Sequence, residues 1–218
     1  VSRPINDFFS VADREAIRAA TAAAERKTAG ELVVYVAERC DPHPEVPCKA
    51  ALLGGAVGAL CGAIAVWPFR GWETPNYAWI LIGLQVGLLL GWIASRFDGV
   101  ARRWIDEDTL SSRVECRAAK AFMEERVFDT RGRTGILIFV ALFEHRVLVL
   151  ADEGINERVG SDAWNDISQE LALAIRRGTP APALIHAVKQ CADLLSEHGV
   201  TAEDSLNELS NEPRFRRD

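Results

Sequence analysis

Gly135-Ile136-Leu137-Ile138-Phe139-Val140-Ala141 is an unbroken apolar run, and Val147-Leu148-Val149-Leu150 follows it after Phe143-Glu144-His145-Arg146. This reads as a buried strand, a tight reversal and a returning strand. Upstream, Leu32-Val33-Val34-Tyr35-Val36 has the same β-branched, apolar character and reads as another buried strand. Helical spacing fills the rest. Ser10 with Asp13 resembles an N-capping box ahead of an alanine-rich helix over 11–28, with Gly30 as its C-cap. Leu110, Val114, Ala118, Ala121 and Phe122 recur on one helical face up to about Phe128. Trp164, Ile167, Leu171 and Ile175 mark a third helix closed by Gly178. Pro180 opens a fourth, lined by Leu184, Val188, Cys191 and Leu195 and stopped by Gly199. The order strand, crossover, strand, hairpin strand, helix, helix makes an α/β domain with a mixed sheet covered by helices.

The crossover between the first two strands holds the least ordinary segment. From Ala50 to Trp67, and again from Tyr77 to Ala94, no residue is charged, and Gln85 is the only strongly polar side chain. Each stretch is roughly 18 residues, enough to cross a hydrocarbon core of about 30 Å. Pro68, Gly71 and Pro75 break the helix between them, and Trp67, Trp72, Tyr77 and Trp79 crowd that turn, with Trp92 and Trp104 at the other end. Aromatic rings at both ends suit a water–lipid interface. Gly54, Gly58 and Gly62 repeat at every fourth position, as do Gly83, Gly87 and Gly91, a glycine-zipper pattern that draws a smooth groove down each helix. The grooves can meet each other or a neighbouring chain, and the sequence leaves both open. Buried helices of a water-soluble core would be poorly served by six glycines, at about 1 kcal/mol each against alanine. Residues 50–67 and 77–94 are therefore expected to be transmembrane helices.

The expected domain is discontinuous, residues 1–40 and 98–200, with a polar, flexible tail over 201–218. The linker from Cys40 to Cys48 carries three prolines and is expected to be neither helix nor central strand. Arg39, Lys49, Arg96, Arg102 and Arg103 flank the two spans on one side, and only Arg70 lies in the turn. Positive charge collects on the cytoplasmic side, which orients the α/β domain to the cytosol. The first thirty residues read as a charged helix rather than a signal peptide. Net charge is −6, which argues against a nucleic-acid partner. Five scattered cysteines form no disulfide framework and fit a reducing compartment. Plentiful alanine and arginine fit a GC-rich bacterial genome, so the expected address is a bacterial inner membrane, crossed more than once.

The runs Thr134-Gly135-Ile136-Leu137-Ile138-Phe139-Val140-Ala141-Leu142-Phe143-Glu144 and Val149-Leu150-Ala151-Asp152-Glu153-Gly154-Ile155, with Gly30-Glu31 ahead of the first strand and Asn207-Glu208-Leu209 in the tail, resemble the TPM-domain family. Within it the chain is similar to the bacterial branch of uncharacterised membrane proteins, over nearly its whole length. The resemblance implies an α/β/α sandwich with a small mixed sheet, here interrupted by a two-helix transmembrane hairpin. In some relatives it also implies phosphatase activity or divalent-cation binding.

With the first two strands parallel and the third antiparallel, Glu31, Thr134-Gly135 and Asp152-Glu153-Gly154 fall at one pole of the sheet. Glu31, Asp152 and Glu153 are then candidate ligands for a hard cation, Ca2+ or Mg2+. The plainer reading is that acidic residues and glycine make good turns and caps. Asp106-Glu107-Asp108-Thr109 reads as a solvated helix start, and Cys40, His43 and Cys48 lack a fourth ligand for a soft metal. Arg131-Gly132-Arg133 offers a contact for anionic groups, with solvated loop charges the plainer reading, and His145 and His186 stand without an evident acid or nucleophile partner. Phosphate loops, paired-histidine zinc helices and serine nucleophile elbows have no counterpart in the sequence. The leading expectation is a scaffold or modulator of membrane partner proteins, and the rival a divalent-cation-dependent, phosphatase-like hydrolase. The glycine faces offer contacts for a homo-oligomer or a membrane-protein partner.

Overall fold

A computed structural model describes residues 8–41, 43, 45–66, 78–97, 105–200 and 209–216. The turn between the two spans, Arg102, Arg103 and Trp104, and Asn207-Glu208 lie outside the described residues. The chain forms two compact units, one of Val1–Ser2 with Pro42–Thr109 and one of Arg3–Asp41 with Leu110–Asp218.

The larger unit is a mixed α/β fold around a four-stranded sheet of order β3-β2-β1-β4. Strands β1 (Glu31–Ala37), β2 (Gly135–Ala141) and β3 (Arg146–Ala151) stand where the apolar runs predict them. β1 and β2 are parallel, with Glu31 opposite Gly135, and β3 returns antiparallel to β2. β4 (Arg214–Arg216) adds in parallel to the free edge of β1, pairing Tyr35 with Arg214 and Ala37 with Arg216. Within the tail expected to be flexible over 201–218, Arg214–Arg216 is thus an ordered strand. Arg214-Phe215-Arg216 alternates with the period of a strand but is too short for periodicity alone to reveal.

Side-chain alternation sends β1 and β2 into two cores. Leu32, Val34, Val36, Ile136, Ile138 and Val140 face α1 (Val11–Glu25), α6 (Ser161–Arg176) and α7 (Pro180–Glu197), whose Ile17, Trp164 and Leu184 are buried with them. Val33, Tyr35, Leu137 and Phe139 face the other way, onto Val114, Ala118 and Ala121 of α4 (Glu107–Glu124). The Tyr35 and Phe139 rings stack at 5.5 Å between centroids. α5 (Glu153–Asn156), which the sequence does not announce, is a single turn capped by Asp152.

Local signals are uneven guides to the helix ends. The Ser10–Asp13 capping box forms with both reciprocal hydrogen bonds. Gly178 and Gly199 adopt the positive φ expected of C-caps. Gly30 does not: α1 ends at Glu25 with Arg26 as its right-handed cap. Gly30 is small for another reason, because a Cβ there would collide with Leu195.

The smaller unit contains α2 (Glu45–Val66) and α3 (Ala78–Ala94), which lie against each other. α2 starts five residues ahead of the expected span and takes in Val46-Pro47-Cys48. Proline is tolerated in a helix's first turn, where its missing N–H has no partner to lose. α2 is long and apolar enough to cross a membrane, whereas α3 has 17 residues.

Candidate functional site

The acidic pole is built by the register of the sheet. The Glu31 N–H donates to the Thr134 carbonyl at 3.1 Å, and the Asp152 N–H donates to the Gly135 carbonyl at 2.9 Å. Glu31 and Asp152 thus flank the start of β2, two strand spacings or about 10 Å apart across the sheet. The space over Gly135 is filled, because a Cβ there would overlap the Val127 carbonyl.

Each candidate ligand has its own partner. Asp152 caps α5, its Oδ1 accepting from the Glu153 N–H at 2.8 Å. Arg133 places its Nε 2.9 Å from Asp152 Oδ2 and donates through a terminal nitrogen to Oδ1 at 3.1 Å. The same guanidinium reaches Glu153, whose carboxylate is exposed, at 3.5 Å. Glu31 is buried and accepts from the Leu209 N–H at 3.2 Å. Among the described residues no group of three or more histidine, cysteine, aspartate or glutamate side chains is arranged to hold a metal. The register delivers Glu31 and Asp152 to one pole, but Arg133 supplies the positive charge at Asp152. Arg133, for which a solvated charge was the plainer sequence reading and contact with anionic groups the alternative, is part of the pole.

A fourth acid at this pole escapes the sequence reading. Glu25 continues the buried face of Ile17, Thr21 and Ala24 on α1. A charge in the apolar phase of a helix is the signal that could have found it. Its Oε1 accepts from the Leu32 N–H at 3.0 Å, and Asn211 donates to Oε2. Burial pushes the Glu25 carboxyl up to about 7; the Leu32 N–H opposes this, the Glu31 charge adds to it, and Asn211 opposes it.

Glu25 and Glu31 are therefore both held by the C-terminal segment, through Asn211 and Leu209. Further along, Arg214 Nε lies 2.8 Å from Glu125 Oε2, and Arg216 lies 3.8 Å from the other oxygen. The Phe215 ring sits 5.2 Å from that of Phe9, with the Arg14 guanidinium over its face at 4.4 Å. Residues 209–216 act as a strap over the β1 edge, with contacts to three acids and two aromatic or cationic neighbours.

At the opposite pole the chain leaves β1 beside the β2–β3 turn. Glu144 is fully buried and accepts from the Cys40 N–H at 2.9 Å, while Arg39 stacks 3.9 Å over the Phe143 ring. His145 occupies that turn at φ 52°, His43 is buried 3.9 Å from Glu45, and exposed His186 lies 3.5 Å from Glu170. Glu107 and Asp108 fall in the first turn of α4, as a solvated helix start should. No disulfide joins any of the five cysteines, and Cys48 is exposed in the first turn of α2.

The six zipper glycines form a site of another kind. A Cβ on Gly58 would overlap the Gly83 carbonyl, and one on Gly83 the Gly58 carbonyl. Gly54 and Gly87 block each other in the same way, Gly62 abuts Trp79, and Gly91 abuts Ala50. Of the two arrangements open to the sequence, the grooves take the internal one. They close on each other and are consumed within the chain. Larger apolar side chains point outward instead: Leu53, Val57, Leu60 and Ile64 on α2, and Leu81, Ile82, Val86, Leu89 and Leu90 on α3, are all exposed.

No family model matches the chain, and no curated protein matches it. Among solved structures it is similar to the NMR structure of the BA42 protein from the psychrophilic bacterium Bizionia argentinensis. The two share 18% identity and a TM-score of 0.57 over 96% of each chain. At that identity the likeness speaks for the fold alone.

Proposed function

We propose that this chain is an integral protein of a bacterial inner membrane, in which α2 and α3 span the bilayer as a hairpin. On this reading they hold a TPM-like α/β domain on the cytoplasmic side, where it scaffolds or modulates membrane partner proteins. The observation that carries the reading is the inside-out character of the helix pair. Its interior is glycine backbone and its exterior a continuous belt of exposed leucine, isoleucine and valine. A belt of that kind is costly in water and suits lipid, where close backbone packing replaces the hydrophobic drive between helices. The Arg96 guanidinium 4.5 Å from the Trp92 ring supports an interfacial end for α3. The rival, a divalent-cation-dependent phosphatase-like hydrolase, draws on the acidic pole, where Arg133 already neutralises Asp152.

A variant keeping only Cys116, which is exposed on α4, tests the reading. The chain should stay in the membrane pellet after an alkaline carbonate wash. Cys116 should resist an impermeant maleimide in spheroplasts and react after lysis. Release by carbonate would overturn the membrane placement, and labelling in intact spheroplasts would reverse the orientation.

A further inference from the structure

Gln85 lies at the middle of α3, and its side chain is exposed among the apolar belt. No described residue hydrogen-bonds its amide. Trp92, two turns on, sits about 10 Å along the helix axis. In the membrane placement this inference rests on, that distance puts Gln85 near the greatest depth, where water supplies no partner. A primary amide brings two donors and an acceptor to that depth, and leaving them unmade is costly.

We propose that a second copy of this chain docks on the Gln85 face of α3, the two Gln85 amides hydrogen-bonding each other across a twofold axis. The amide is self-complementary, because each can donate to the carbonyl of the other. Two copies inserted with the same orientation are related by an axis along the membrane normal, which keeps every residue at its own depth. Gln85 then meets Gln85 without any further condition. An unrelated helix would need its own polar group at the same level. The glycine grooves are closed within the chain, so association must use another face. Leu81, Ile82, Leu89 and Trp92, at helical spacing around Gln85, are exposed and supply the apolar flanks of that contact.

The full chain, labelled with one fluorophore and reconstituted in liposomes over a lipid dilution series, tests this by single-molecule photobleaching. Wild type should show two-step bleaching that dilutes away reversibly. Gln85→Leu, which removes no hydrogen bond to a described residue, should weaken the dimer roughly tenfold, and Gln85→Asn should recover part of it. In a cysteine-free background, Gln85→Cys should form a disulfide-linked dimer and Leu90→Cys, on another side of the helix, should not. Membrane-inserted wild type that stays monomeric at every dilution overturns the second copy in favour of a different partner or none. Equal dimerisation of wild type and Gln85→Leu overturns the amide contact. Release of the chain by carbonate instead marks a failure of the membrane placement beneath both.

Discussion

The helix pair α2–α3 and the β-sheet domain solve the same packing problem in opposite ways. In the domain, large side chains interdigitate: Phe139 stacks on Tyr35, and Ile17 and Leu184 are fully buried against the other face of the sheet. In the helix pair, large side chains point out and the interior is bare backbone at Gly54, Gly58, Gly83 and Gly87. In the membrane placement proposed above, the two regions face different solvents. Water drives apolar side chains inward, whereas a lipid surround gives leucine no reason to hide and rewards close approach of polar backbones.

Phe139→Ala should cost the domain about 3–5 kcal/mol, as loss of a fully buried aromatic does. Chemical unfolding followed by near-UV circular dichroism would show it, with the α2–α3 pair unaffected.

Glu25 gives a smaller, pH-dependent effect. Its folded value of about 7 is raised from the 4.5 of a free carboxyl. Its contribution to stability is therefore complete below the unfolded value and is lost as pH rises through the folded one. The domain should lose up to about 3 kcal/mol across that window. Glu25→Gln should flatten the slope, and an unchanged slope would show that Glu25 is not its source.

Gly58→Leu should act on the other region, weakening the helix pair by about 1–3 kcal/mol because the obstruction at Gly83 is backbone and cannot rotate away. A denaturation series in detergent would read it, and the sheet should not respond.

Much of the fold was legible because its signals are local. The three long strands are uninterrupted apolar runs, the Ser10–Asp13 box and the glycines at 178 and 199 are short-range caps, and Glu31 and Asp152 reach one pole as soon as the strand directions are known. The misses are contacts distant in sequence. Asn211 holds Glu25 across 186 residues, and Leu209 holds Glu31 across 178. Nothing near any of these four residues announces the contact. Proline in the Cys40–Cys48 linker misled for a local reason, since its position within the first turn of α2 decides whether it breaks the helix.

Residue type at fixed spacing was enough for the order of the three long strands and the main helices, and for the two charge-free stretches with their glycine period. That the glycine grooves close on each other, that Arg133 pairs with Asp152, and that Arg214–Arg216 adds a fourth strand emerged only in three dimensions. Those outcomes depend on which backbone reaches a given carboxylate or carbonyl first, and that is a matter of three-dimensional distance rather than of spacing along the chain.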